Sequence, residues 1–263
     1  MNLLIIGGTG FIGKSFVDGF GRGILKKFQL NKIYIISRKP SMLKKNKKLN
    51  LKNIKLIRGD IANMKKLPHC KIIIYAAEST QISENTGRKK LLKTHTKSID
   101  NFCNLIKNRK NTKILYLSSG AVYGPQPNNI KKIKENYSSK IDYNISDYKY
   151  YYSKLKLYSE SKILNLSEYG VKTTIARCFS FIGPWLPRNK QYAIGNFLFD
   201  GFNRKKIKVK SNSKVFRSYM YADDLIYWLF KMTINAKKKC NIYNVGSDEA
   251  VSLYSVARFM GKI

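Results

Sequence analysis

The chain has 263 residues, 43% of them hydrophobic, which is enough for one large α/β domain or a cofactor domain with a smaller lobe. Lys and Arg number 51 against 15 Asp and Glu, a formal charge of +36. Such a charge suits anionic ligands or a nucleic-acid surface. Most of the excess is Lys, and Asn, Ile and Tyr are abundant too, so biased composition is the simpler account and no specific nucleic acid is expected. Cys70, Cys103, Cys178 and Cys240 are scattered without a C-x-x-C, and the only histidines are His69 and His95. That spacing argues against zinc and against a disulfide framework. No apolar run reaches the roughly 18 residues of a membrane helix. No basic secretion signal opens the chain, and a soluble cytoplasmic protein is expected.

In chain order, residues 2–6 predict a strand, followed by a glycine turn and a helix from about Phe11. Residues 32–36, 54–57, 72–75, 114–118 and 173–176 predict five further strands, and 88–107 and 148–168 predict helices. Continuous Ile/Leu/Val/Tyr runs suit parallel strands buried on both faces. Their alternation with helices predicts an α/β fold, a Rossmann-type doubly wound parallel sheet. After about Cys178 the rhythm changes. Helices are expected at 196–204, 222–234 and 252–260, an extended stretch at 215–220, and a strand at 242–245. The lysine-rich stretches 39–55 and 128–140 predict surface loops. The expected division is an NAD(P)-binding domain over 1–177 and an interleaved, smaller C-terminal substrate lobe over 178–263.

The first turn reads Gly7-Gly8-Thr9-Gly10-Phe11-Ile12-Gly13, between a strand and a helix. Gly7 permits the tight turn, Gly10 lets a pyrophosphate approach the backbone, and Gly13 lets helix and strand pack closely. The helix start offers free N–H groups to the phosphates. The second strand ends Ile36-Ser37-Arg38-Lys39. A carboxylate here would bind the ribose hydroxyl of NAD, whereas an arginine accommodates the extra phosphate of NADP. NADP is therefore favoured over NAD, with Ser37 and Arg38 as its ligands. Asp60 and Ile61 follow the third strand and are candidates for the adenine. Ala76 and Ala77 end the fourth, where small residues let a dinucleotide lie close.

The fifth strand ends Ser118-Ser119-Gly120-Ala121-Val122-Tyr123-Gly124, and a long helix carries Tyr150-Tyr151-Tyr152-Ser153-Lys154. A tyrosine and a lysine at i, i+4 share one helix face. The ammonium favours phenolate, so the tyrosine can exchange a proton with a substrate hydroxyl. Tyr150–Lys154, Tyr152–Lys156 and Tyr158–Lys162 all have this spacing.

As a set, the chain resembles the extended short-chain dehydrogenases/reductases of the NAD-dependent epimerase/dehydratase family, which act on nucleotide sugars. The resemblance covers nearly the whole chain. It is carried by residues 7–13, Gly59-Asp60, Tyr75-Ala76-Ala77, 118–124, 150–154, 177–184, 217–225 and Tyr243-Asn244-Val245-Gly246. The family places a serine directly before its catalytic lysine. The resemblance therefore implies Tyr150, Ser153 and Lys154, with Ser119 as hydroxyl partner and Tyr150 and Lys154 also touching the cofactor. It implies Arg217 as the anchor of the nucleotide diphosphate, with Ser180 near the sugar; an ion pair of Arg217 with Asp223 or Asp224 is the alternative. The 4,6-dehydratases of the family carry Asp-Glu where this chain has Gly120-Ala121, which leaves 4-epimerisation or 4-keto reduction. His95 stands where the family has Asn, as does Ser180. Members usually continue beyond the helix begun at Ser252, so a shortened lobe is expected. The implied role is hydride transfer on a nucleotide sugar in surface polysaccharide biosynthesis, with a homodimer compatible with it. The rivals are a catalytically silent dinucleotide-binding protein with an RNA-binding basic surface, and a cofactor-sensing or assembly subunit.

Overall fold

In a computed structural model, residues 1–77, 88–127, 129–138, 147–188, 192–209, 211 and 215–261 are described. The first half alternates β1 (Asn2–Ile6), α1 (Phe11–Gly21), β2 (Lys32–Ser37), the short α2 (Ser41–Lys44), β3 (Ile54–Arg58), β4 (Ile72–Tyr75), α3 (Arg88–Ile106) and β5 (Lys113–Ser119). It continues with α4 (Asp147–Asn165), β6 (Lys172–Cys178), β7 (Ser180–Ile182), α5 (Ala193–Phe202), β8 (Phe216–Arg217) and β9 (Tyr219–Tyr221). The chain then forms α6 (Ala222–Ile234), β10 (Asn241–Val245), β11 (Val251–Ser252) and α7 (Leu253–Met260).

Seven strands form one sheet in the order β10-β6-β5-β4-β1-β2-β3, and every pairing in it is parallel. The order reverses beside β1, so the C-terminal ends of β1, β2 and β4 open a crevice there, the usual ligand position in such sheets. Side chains of a strand alternate between faces. Leu3 and Ile5 accordingly join a core with Phe16 and Val17 of α1 and Leu225, Ile226 and Leu229 of α6. Leu4 and Ile6 face the opposite core, with Ile99 and Phe102 of α3 and Ile163 of α4. Both faces are covered, which is why β4 reads Ile-Ile-Ile-Tyr without alternation.

Several boundaries differ from the sequence reading. The stretch expected as a loop over 39–55 contains α2, and Leu43 and Leu49 are buried in it; two leucines supply an anchor that composition hides. Of the loop expected over 128–140, residues 129–138 are described and form turns and bends, and the rest lies outside the described residues. Helix α4 ends at Asn165, and a 3-10 turn over Leu166–Tyr169 continues to Gly170, whose φ of 77° stops it. The expected extended stretch is two short strands, β9 pairing with β7 and β8 with β11. After Cys178 the chain returns to the large sheet: β10 is its edge strand beside β6, and α6 packs against α1.

Candidate active site

The turn after β1 is built as a close approach of backbones. Gly7 has φ 89°, and a Cβ on it would lie 2.4 Å from Cα of Ala77 and 2.6 Å from the Ala76 carbonyl oxygen. A Cβ on Gly13 would meet the Gly8 backbone at 2.2 Å, so α1 starts against the end of β1 only because that side chain is absent. Gly10 differs: a Cβ there would have Gly7 O at 3.8 Å as its nearest neighbour, which leaves a cradle over the helix start. No side chain caps α1, and its first turn holds no acidic residue. Free N–H groups, the positive dipole end and an open cradle fit a pyrophosphate.

Around the cradle, Thr9 Oγ1 and Ser37 Oγ lie 2.9 Å apart, and Lys39 N donates to Ser37 Oγ at 3.3 Å. Ser37 therefore ties the glycine turn to the end of β2, while Arg38 is exposed next to it. Arg58 ends β3 opposite Ser37 in the sheet register and is exposed as well. Asp60 Oδ1 accepts from Ala62 N at 3.0 Å and shapes the turn after β3, with Ile61 buried. Asn101 of α3 donates to the carbonyls of Ile61 and Met64 and fixes that turn from behind. Phe11 faces Phe181 at 6.5 Å between ring centroids, and Gly183 packs on Ala222, so the segment after β6 runs beside the glycine turn.

Ser119 ends β5 and caps the 3-10 turn Gly120–Tyr123, its Oγ accepting from Ala121 N at 3.2 Å. A Cβ on Gly120 would lie 2.9 Å from the Phe179 ring, so the ring occupies the space a side chain would need. Helix α4 lies alongside. Ser153 is buried and its Oγ donates to the Ala121 carbonyl at 2.6 Å. Lys156 is buried too, and its Nζ donates to the Leu117 carbonyl at 2.6 Å. His95 Nε2 and Ser159 Oγ are 2.9 Å apart, and burial and then the Lys156 ammonium push the His95 pKa down to about 4.

The pair Tyr150–Lys154, implied by the resemblance, lies on the less buried side of α4. Lys154 is exposed, with its Nζ 4.4 Å from the Tyr150 ring centroid, while Lys156 is the lysine turned toward β5. The physical reason is helical phase: two residues along a helix is about 200°, so the registers point to opposite sides. Arg217 in β8 is exposed and donates to the Phe216 carbonyl. Of the two acidic partners considered for it, Asp223 is held by Arg22. Ser180 opens β7 and pairs with Tyr219 of β9, whereas Arg217 lies two residues earlier in β8, which pairs with β11, so the two expected substrate ligands lie in separate two-stranded sheets.

A buried polar network went unread in the sequence. Glu160 accepts from Arg177 Nε at 3.0 Å and Nη2 at 2.8 Å, and from Ser118 Oγ. Arg177 also donates to the Glu135 carbonyl and covers the Tyr123 ring. Burial alone would lower the Arg177 pKa, but Glu160 and Tyr123 outweigh it and hold it above its ordinary value. Tyr123 Oη donates to Asn244 Oδ1 at 2.7 Å, and Glu135 Oε1 accepts from Asn244 N at 2.9 Å. The available signal was Glu160 four residues after Lys156, on the same helix face. Among the described residues no His/Cys/Asp/Glu cluster could hold a metal, and no helix is long and apolar enough to cross a membrane.

A seven-stranded parallel sheet flanked by helices, with a glycine turn at the end of β1 and a tyrosine- and lysine-bearing helix beside β5, is a Rossmann-type dinucleotide-binding fold. The NAD dependent epimerase/dehydratase family model matches residues 3–246, and the chain belongs to that family. It is 26% identical over 262 residues to UDP-glucuronic acid decarboxylase 3 of Arabidopsis thaliana, covering 96% of this chain and 72% of that protein. It is also 26% identical over 276 residues to dTDP-D-glucose 4,6-dehydratase of Dictyostelium discoideum, covering 97% of this chain but 60% of that relative. The solved UDP-glucuronic acid 4-epimerase of Bacillus cereus, in complex with UDP-glucuronic acid and NAD, superposes with a TM-score of 0.78 at 19% identity, over 100% of this chain and 82% of that one.

Proposed function

We propose that the protein modifies a nucleotide-activated sugar by NAD(P)-dependent hydride transfer, as a 4-epimerase or 4-keto reductase, in the cytoplasm and in surface polysaccharide biosynthesis. Gly120 carries the choice: beneath Phe179 it offers no carboxylate, and Ala121 adds no acid/base group. Dehydration needs a proton donor to the departing hydroxyl, and those two positions supply none.

The cofactor would be held by Gly7, Thr9, Gly10, Phe11, Ile12 and Gly13 at the pyrophosphate, by Asp60 and Ile61 at the adenine, and by Ala76 and Ala77 along its length. When bound it supplies the hydride acceptor and donor. Ser37 and Arg38, with Arg58 opposite Ser37, support NADP over NAD, because guanidinium groups at the neighbouring ends of β2 and β3 suit a phosphate. Residues 178–263 would supply the substrate lobe, with Arg217 on the diphosphate and Ser180 near the sugar. Ser119 would orient the reacting oxygen, and Tyr150, with Lys154 one turn on, would exchange its proton.

The test offers the purified protein NAD, NADP and their reduced forms with a panel of nucleotide sugars and 4-keto sugars, with products followed by NMR. An epimerase inverts C4 with no net use of cofactor; a reductase consumes one reduced cofactor per product. Water loss to a 4-keto-6-deoxy sugar would overturn the reading. Arg38→Ala is expected to weaken NADPH binding at least tenfold and NADH binding less than threefold; a clear wild-type preference for NADH would refute the NADP assignment.

A further inference from the structure

We propose that the edge of the large sheet opposite the crevice is a docking surface for an anionic lipid bilayer. It stands apart from the reaction proposed above, because it uses none of the residues named for that reaction.

The two ends of the sheet differ in charge. At the first residue of each strand or within the two before it, six of the seven strands carry a lysine. These are Lys32 at β2, Lys52 at β3, Lys71 at β4, Lys113 at β5, Lys172 at β6 and Lys239 at β10. At the last residue of each strand or within the two after it, the seven strands together carry one lysine, Lys39 after β2. A lysine-rich composition would load both ends alike. All seven strands run parallel, so the six lysines share one edge.

This charge is not neutralised within the protein. More lysines stand in the connections that enter the strands: Lys26 and Lys27 before β2, Lys107 and Lys110 before β5, Lys237 and Lys238 before β10. In the connections 22–31, 45–53, 66–71, 107–112, 166–171 and 235–240 the one acidic residue is Glu168. Among the described residues no ion pair engages the six strand-entry lysines. The register sets Lys113 beside Lys172, and like charges side by side destabilise a sheet. Lys113 finds only the Ile234 carbonyl as acceptor. The arginines of this edge are engaged internally, Arg22 by Asp18 and Asp223, and Arg109 by the Leu67 and Pro68 carbonyls.

The shape of the array selects its partner. Seven strands at about 4.8 Å spacing span about 29 Å. Lys107 and Lys110 follow α3 on one face of the sheet, and Lys237 and Lys238 follow α6 on the other. The charges therefore spread over a plane. Ammonium point charges on a plane suit lipid head groups, with about a fivefold gain in partitioning per lysine at an anionic surface. A nucleic-acid strand is instead tracked by a charged groove with aromatic stacking platforms. Tyr169, in the connection that enters β6, is 50% exposed, and Met1, before β1, is 46% exposed. An amphipathic ring and an apolar chain thus stand at the level the head groups would occupy. The crevice lies one strand length away, about 13–23 Å for strands of four to seven residues. A protein docked by this edge turns its crevice toward water.

The test is co-sedimentation at about 0.1 M salt with vesicles of phosphatidylcholine containing about 30% phosphatidylglycerol, against vesicles of phosphatidylcholine alone. The protein is expected to bind the anionic vesicles at least tenfold more tightly. Lys71→Gln/Lys110→Gln/Lys238→Gln is expected to weaken that binding about 100-fold, at about fivefold per lysine. Lys205→Gln/Lys206→Gln/Lys208→Gln removes the same charge from the segment after α5 and is expected to stay within threefold. Far-UV circular dichroism is the folding control. If the first triple variant does not fold, Lys71→Gln and Lys238→Gln, each expected to lose about fivefold, decide the matter. No binding to the anionic vesicles, or equal losses in the two triple variants, would overturn the proposal. Release from the vesicles by a single-stranded oligonucleotide at equal phosphate concentration would overturn it in favour of nucleic acid.

Discussion

Glu160→Gln removes one charge and little else, and its cost follows from the geometry. Glu160 and Arg177 are 3% and 8% exposed, so water screens their bond poorly. The carboxylate accepts two guanidinium N–H groups and the Ser118 hydroxyl. In glutamine one oxygen can still accept from Arg177 Nε and Ser118. The amide nitrogen then faces Arg177 Nη2 across the present 2.8 Å contact, donor against donor. Removing one partner of a buried pair costs about 3–5 kcal/mol, because the other charge stays buried without compensation. About 3 kcal/mol is expected here, since two of the three bonds survive. For a domain of this size that lowers Tm by roughly 6–12 °C. Urea denaturation at pH 7 with unchanged m-value measures it. Arg177→Met is expected to cost similarly, and the double variant Glu160→Leu/Arg177→Met less than the sum of the singles, since nothing charged is then left behind. A loss under about 1 kcal/mol for Glu160→Gln, or strict additivity in the double variant, would show that the pair is effectively solvated and that the reasoning fails.

Two further outcomes follow from particular contacts. The folded-state pKa of His95 is pushed down to about 4, below its ordinary 6.5. The unfolded chain therefore takes up a proton first as pH falls, and stability should drop between about 6.5 and 4 with a contribution near 1.4 kcal/mol per pH unit. His95→Gln should flatten that part of a urea-midpoint profile, and an unchanged slope would refute the assignment. Gly13→Ala would set a methyl 2.2 Å from the Gly8 backbone. Overpacking of about 1–3 kcal/mol and loss of dinucleotide affinity are expected, checked by thermal denaturation and cofactor titration. Wild-type affinity in that variant would mean that the helix start is not held as described.

The sequence by itself determined most of the strands and the glycine turn after β1. Apolar runs such as 2–6 and 72–75 read correctly because a parallel strand buried on both faces needs no long-range information to be recognised. The glycine turn read correctly for the same reason: spacing, strand before and helix after are all local. Tertiary structure alone decided that β10 returns to the sheet beside β6, because a strand's neighbour is set by a crossover rather than by its own residues. It decided the Glu160–Arg177–Tyr123–Asn244 network for the same reason, since its members are far apart in the chain. It also decided the phase of α4. Spacing alone admits Tyr150–Lys154 and Tyr152–Lys156 equally, because both are one turn apart. Only the packing of Ser153 on Ala121 and Lys156 on Leu117 says which side of the helix is buried against β5 and the turn after it.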